Sequence, residues 1–219
     1  MDVKVDGLTK RYSGRAVFDG LELDVAKGEF VALVGRSGAG MSTLLHLLAG
    51  IDAPDAGRVF LGGTDITTLD EPGRTAFRRQ RLGLVFQAYN LVPSLTAIDN
   101  VRLPMELVGT PPAQAQREAL ATLASLGLAG LADRFPEQLS GGEQQRIGVA
   151  RALAHSPGLV LADEPTGSLD LENAGAVIEL LAAACRDRGA TLVLVTHSQD
   201  VMDRADRLLR LVDGRLEAS

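Results

Sequence analysis

Residues 30–48 constrain this chain more tightly than any other stretch. The apolar run Phe30, Val31, Ala32, Leu33, Val34 leads into Gly35, Arg36, Ser37, Gly38, Ala39, Gly40, Met41, Ser42 and Thr43. The helical pattern Leu44, Leu45, His46, Leu47, Leu48 follows. A buried strand, a glycine-rich loop and a helix in that order are the context of the phosphate-binding loop G-x-x-x-x-G-K-[ST]. Its glycines let backbone N–H groups approach phosphate oxygens, and the helix adds its positive N-terminus. Ser42 offers a hydroxyl to a magnesium ion. Every fixed position fits except one: Met41 stands where the motif has lysine. The sequence therefore specifies a nucleoside triphosphate site and lacks, at the same place, the cation that should neutralise it.

The rest of the chain supplies an α/β setting. Residues 159–162 and 192–195 are further continuous apolar runs, as buried parallel strands are. Leu21, Leu23 and Val25 alternate with Glu22 and Asp24, Asp19-Gly20 offers a turn signal, and Arg58 to Leu61 suggests a second strand pair. These read as an antiparallel layer beside the core. Val177, Leu180, Leu181 and Ala184 form a core-facing helical stripe, and Leu120, Leu123 and Leu126 form another, ended by Gly127. Residues 88–155 read as an inserted helical subdomain, with Pro93, Pro104, Pro111, Pro112 and Pro136 as turn formers. Residues 1–87 and 156–219 then make one α/β core within a single domain spanning 1–219. Asp213-Gly214 marks a C-terminal hairpin.

Composition narrows the partners. A net charge of −6 argues against a nucleic-acid partner. Arg74, Arg78, Arg79 and Arg81 form the one dense basic patch, read as a solvated face. Cys185 cannot form an internal disulfide and sits in an apolar helical pattern, so it reads as a small buried hydrophobe, compatible with a reducing compartment. No signal segment opens the sequence, and no apolar run approaches the ~18 residues of a membrane span.

Two further motifs carry chemistry. Residues 159–162 end in Asp163 and Glu164, placing two carboxylates where open α/β sheets gather ligands. Asp163 is positioned for magnesium, and Glu164 to orient or deprotonate an attacking water. Acids capping the next turn are the alternative for this pair taken alone. In Leu139-Ser140-Gly141-Gly142-Glu143, Ser140 caps a helix and two glycines expose N–H groups to an anion.

That last motif, between the loop and the acids, resembles the signature of ATP-binding cassette (ABC) ATPases, and the likeness runs nearly end to end. Gln87 is similar to the family's Q-loop glutamine, Ser168-Leu169-Asp170 to its D-loop, and His197 to its switch histidine. Tyr12 lies where the family places an aromatic to stack on adenine, with a place in the core as the alternative. Residues 87–101, 162–170 and 196–198 are similar to the lipoprotein-releasing, macrolide-export and FtsE-like group. The resemblance implies a P-loop NTPase (RecA-like) core with an antiparallel β subdomain and an inserted helical subdomain. It also implies an ATPase using ATP and Mg2+, with Glu164 and His197 catalytic and Ser42, Gln87 and Asp163 at the metal. The partners implied are a second copy, arranged head to tail so that Ser140, Gly141, Gly142 and Glu143 reach the loop of the other chain, and a separate membrane permease. Its place would be cytoplasmic, on the inner face of the membrane through that permease, docked in a groove between Gln87 and about Gly109.

Met41 is the departure. It matches lysine in length and cannot donate a hydrogen bond or balance charge. Truncating a desolvated charge contact costs about 2–5 kcal/mol, roughly 30- to several-thousand-fold. Three explanations are open: a deliberate substitution that blocks turnover, a natural cassette that binds nucleotide without hydrolysing it, or a nearby cation such as Arg36 taking over. The agreement of all the other motifs favours the first.

Overall fold

The computed structural model describes residues 1–36, 38–166 and 171–218, with the side chains of 171–174, 199 and 200 set aside. The expected positions Ser37, Ser168 and Asp170 lie outside the described residues.

The chain opens with β1 (Val3–Tyr12) and β2 (Arg15–Val25), antiparallel to each other. The reversal falls at Ser13 and Gly14, both at positive φ, and not at Asp19-Gly20. Two residues with φ near +49° and +81° suit a two-residue hairpin turn whose twist matches the strands. Asp19 and Gly20 instead sit inside β2 opposite Thr9, as a bulge between the pairs Leu8–Leu21 and Lys10–Phe18. Beyond the bulge the expected alternation holds, with Leu21, Leu23 and Val25 buried.

Next come β3 (Phe30–Gly35), α1 (Met41–Leu48), β4 (Ala56–Leu61), β5 (Thr64–Asp65), α2 (Glu71–Arg81) and β6 (Leu82–Val85). Then follow α3 (Ala97–Leu107), α4 (Pro112–Ser125), α5 (Gly141–Leu153), β7 (Leu159–Asp163), α6 (Leu171–Arg188), β8 (Thr191–Val195), α7 (Gln199–Met202), β9 (Arg207–Val212) and β10 (Arg215–Ala218). The strands make two sheets, ordered β2-β1-β4-β5 and β10-β9-β3-β8-β7-β6. In the second, every pairing except β9 with β10 is parallel.

Strand alternation divides the core into two halves. Val160, Ala162, Leu192 and Leu194 join α3, α4, α5 and α6 on one face. Val31, Leu33, Leu159, Leu161, Val193 and Val195 join α1 and the antiparallel sheet on the other. A parallel sheet covered on both faces explains why its strands read as unbroken apolar runs. Cys185 is buried, and burial pushes its thiol up to about 12, so it packs as an inert hydrophobe.

Two further expectations are corrected. Leu120 is 41% exposed; α4 buries Ala115, Ala119, Thr122 and Leu123 instead, the i, i+4, i+7, i+8 face. Pro104 is not in a turn but inside α3. The basic patch lies on α2, where Glu71 takes Arg74 at 3.0 Å and Arg78 at 2.8 Å, and Arg78 also donates to the Gly50 carbonyl.

Candidate functional site

Four parallel strands end along one edge of the large sheet. Gly35 closes β3, Val195 closes β8, Asp163 closes β7 and Val85 closes β6. In-register pairing of β3 with β8, β8 with β7 and β7 with β6 brings these ends side by side. The loop after Gly35, His197, Glu164 and Gln87 therefore share one sheet edge, where ligands bind in open α/β folds.

The loop is shaped by its glycines. Gly38 and Gly40 hold φ of 78° and 106°, and a Cβ on Gly40 would stand 2.5 Å from Val17 Cγ1. Only glycine meets both demands. Ala39 N–H donates to the Arg36 carbonyl at 3.0 Å, closing a turn before α1. Gly40 is the N-cap of α1 and supplies no side-chain acceptor, so no capping side chain covers the first N–H groups of that helix. Ser42 is exposed on the first turn.

Met41 is 6% exposed and packs in the cluster that contains Leu44, Leu45 and Leu33. A Cβ on Gly35 would lie 3.3 Å from its sulfur. Its thioether thus fills the space beneath the loop, and the loop adopts its shape without lysine.

Glu164 has φ of 42°, a left-handed conformation uncommon for a glutamate. Its N–H donates to the Val195 carbonyl at 3.0 Å, holding it at the end of β8. There its Oε1 stands 3.1 Å from Nε2 of His197. Both side chains are partly open to solvent, at 31% and 48%. A carboxylate and an imidazole in contact beside a phosphate loop can pass a proton to and from water.

The metal set expected from the sequence is Ser42, Gln87 and Asp163. No group of three or more His, Cys, Asp or Glu side chains that could hold a metal occurs among the described residues. One carboxylate, one hydroxyl and one amide are hard oxygen donors of the kind magnesium takes, and they would leave its other positions to phosphate oxygens and water.

Tyr12 stands at the far end of β1, 46% exposed. Its hydroxyl donates to Asp52 Oδ2 at 2.6 Å, and the Lys10 ammonium lies 4.9 Å from its ring centroid. Lys10 in turn donates to Asp52 Oδ1 at 2.8 Å and the Ala53 carbonyl at 2.7 Å. Burial pushes the Asp52 carboxyl up, but hydrogen bonds from Lys10, Tyr12 and the Ala53 N–H outweigh it and hold it below the usual aspartate value. Nothing in the sequence links Asp52 to Tyr12, 40 positions away.

Ser140 caps α5 as expected. Glu143 N–H donates to Ser140 Oγ at 3.3 Å, while Ser140 N–H donates back to Glu143 Oε2 at 2.7 Å. That backbone bond, then one from the Ser140 hydroxyl, holds the Glu143 carboxyl below its ordinary value. Helix α5 packs on α3, α6 and the edge strand β6, with β7 and β8 between it and β3 with its loop.

Two residues of α5 that the sequence did not single out hold the Gln87 segment. Gln145 Nε2 donates to the Phe86 carbonyl at 3.3 Å. Arg151 donates to the carbonyls of Asn90 at 2.5 Å and Tyr89 at 3.1 Å. Beside them a cavity of about 520 Å3 is bordered by residues 87–91, Pro93, Pro136 and Gln144.

Comparison with known proteins places the fold in a family. Residues 18–167 match the ABC transporter family. The chain is 48% identical, over 98% of its own length and 89% of the relative's, to the lipoprotein-releasing system ATP-binding protein LolD of Xanthomonas oryzae pv. oryzae. It is also 48% identical to an uncharacterized ABC transporter ATP-binding protein of Mycobacterium tuberculosis, over 92% of this chain and 82% of that one. A dimeric post-hydrolysis state of the ATP-binding cassette MJ0796, bound to ADP and Pi, superposes with a TM-score of 0.89 at 36% identity, covering 98% of this chain and 96% of that one.

Proposed function

This chain belongs to the ABC transporter family as an ATP-binding subunit, and from that membership we propose that it binds ATP between two head-to-tail copies beneath a separate membrane permease and turns it over slowly. The observation that carries the reading is the shared sheet edge. An uncapped α1 N-terminus, Asp163 and the Glu164–His197 contact stand there together.

Each part has a role in that scheme. Tyr12 stacks on adenine, residues 35–43 cradle the phosphates, and Ser42, Gln87 and Asp163 hold magnesium, which balances charge on the phosphate oxygens when bound. Glu164 takes a proton from the attacking water and His197 steadies it. Ser140, Gly141, Gly142 and Glu143 serve the loop of the other copy. A second copy fits the separation of α5 from the loop within one chain, and MJ0796, a structural relative, is a dimer. Among the described residues no helix is long and apolar enough to cross a membrane, so a permease is the natural anchor. The cavity at residues 87–93 is our candidate for its docking groove, held by Arg151 and Gln145 within a helical subdomain spanning 88–155.

Met41 sets the speed. The backbone N–H groups and the helix terminus still favour an anion, so binding survives, weakened. The charge that should grow more favourable in the transition state is missing, and turnover falls further than affinity. A natural cassette that binds without hydrolysing is the second reading; Met41 favours it, and the intact Glu164–His197 contact weighs against it. Equilibrium binding of ATP with Mg2+, followed by sedimentation, tests the proposal. Binding that drives dimer formation is expected; a chain that stays monomeric with ATP bound refutes the sandwich.

A further inference from the structure

A cavity of about 680 Å3 opens between β2, the phosphate loop and the β9–β10 turn. Three arginines from distant parts of the chain line it: Arg15 at the start of β2, Arg36 in the loop and Arg210 on β9. Backbone of Gly35, Gly38 and Ala39 borders the same space. Arg210 is in register with Val34, one residue before the loop, so the cavity flanks the loop on the β9 side of β3. Strand β8 lies on the other side of β3, and with β7 it carries His197 and Glu164. The arginines and the proton-handling pair thus stand on opposite flanks of one loop.

All three arginines are exposed, and none makes an ion pair or side-chain hydrogen bond among the described residues. Asp19 and Asp213 also line the cavity, yet neither takes up an arginine. Exposed charges ordinarily just solvate a surface. Here three arginines from positions 15, 36 and 210 line one opening, beside a backbone shaped for phosphate and unclaimed by the carboxylates next to them. The guanidinium fork matches phosphate oxygens two at a time.

We propose that this cavity is an anion subsite for the inner phosphates of a bound nucleotide, those nearest the ribose, with Arg15, Arg36 and Arg210 as its cations. The proposal rests on the reading of the loop as a nucleotide site. It also fits Tyr12, which a two-residue turn joins to Arg15, so that base and inner phosphates lie on the same flank. The subsite supplies affinity that a loop with Met41 lacks. It supplies none of it at the outer phosphate, where the bond breaks, so it strengthens binding without restoring rate.

The test replaces all three, as Arg15→Gln/Arg36→Gln/Arg210→Gln, in the chain with Met41 and in the Met41→Lys chain. Calorimetry with Mg2+ then measures ATP, ADP, adenosine and pyrophosphate. The substituted side chains are exposed, and an unchanged melting temperature without nucleotide verifies the fold. ATP and ADP should both bind about tenfold more weakly, by the same factor, with adenosine unaffected. An unchanged ADP affinity overturns the subsite, and so does a loss confined to ATP, which would place the arginines at the outer phosphate. Loss of pyrophosphate binding with ADP binding intact overturns the nucleotide assignment. Failure of the Met41→Lys chain to bind ATP at all overturns the nucleotide reading, and the subsite with it.

Discussion

Nε2 of His197 stands 3.1 Å from Oε1 of Glu164, although the two are 33 positions apart in the chain. The contact depends on the left-handed backbone of Glu164, a conformation that costs of order 1–3 kcal/mol for a residue other than glycine. The hydrogen bond from Glu164 N–H to the Val195 carbonyl holds it. Glu164→Gln keeps the shape and removes the base. In the Met41→Lys chain it should lower turnover roughly 10²- to 10⁴-fold while ATP binding is retained. Steady-state hydrolysis measured beside equilibrium binding distinguishes a lost proton acceptor from a lost site.

Asp52 fixes Tyr12 through its hydroxyl and Lys10 through its ammonium. Asp52→Asn removes the charge that organises both. ADP affinity should fall by a few-fold, and Tyr12→Ala by more, about 1–3 kcal/mol for a lost stacking face. Because Asp52 titrates below the usual aspartate value, its contribution is complete above that value and is lost as pH falls through the lowered one. Inorganic pyrophosphate should bind the parent and both variants alike; a matching loss for pyrophosphate would mean that these residues support the loop and not the base.

His155 reports on stability through acid. Burial holds its imidazole below the usual histidine value, and its Nε2 lies 3.0 Å from the Leu82 carbonyl. The folded chain therefore binds this proton less readily than the unfolded chain. Stability is full above the unfolded value and declines as pH falls through it, near 6.5. Denaturant unfolding at pH 7.5 and 5.5 should give a lower midpoint at the acid pH, and His155→Gln should shrink that difference. An unchanged difference would assign the acid sensitivity to other groups.

Arg151 ties α5 to the carbonyls of Tyr89 and Asn90. Arg151→Met keeps the length of the side chain and loses both donors, at a cost of about 2 kcal/mol. Hydrogen exchange should rise in residues 86–91 more than in β7 or β8. Uniform acceleration would show general destabilisation and no special hold on that segment.

Much of this was legible in the residues. Glycine spacing at 35–40 encodes both the backbone twist and the room it needs, and three apolar runs sufficed for the central strands. What escaped depends on contacts between distant segments. The Asp19-Gly20 pair carries a turn composition, but pairing of β1 with β2 absorbed it as a bulge and gave the reversal to Ser13-Gly14. Leu120 continues an apolar spacing of three, yet packing against α3 and α5 selected the face of Ala115 and Ala119. Arg15 and Arg210 carry no local mark; only the pairing of β9 with β3 and the place of β2 bring them to the loop. For the same reason nothing in the sequence marks Arg151 or Asp52, whose partners lie 40 to 62 positions away.

On the proposed function, Met41 leaves the fold and the nucleotide site standing and removes the charge that speeds turnover. ATP hydrolysis by this chain and by Met41→Lys, each at saturating ATP and Mg2+, tests it most directly. The lysine chain should be faster by roughly 30- to several-thousand-fold, the span expected from restoring a desolvated charge contact. Equal rates in the two chains would contradict the claim.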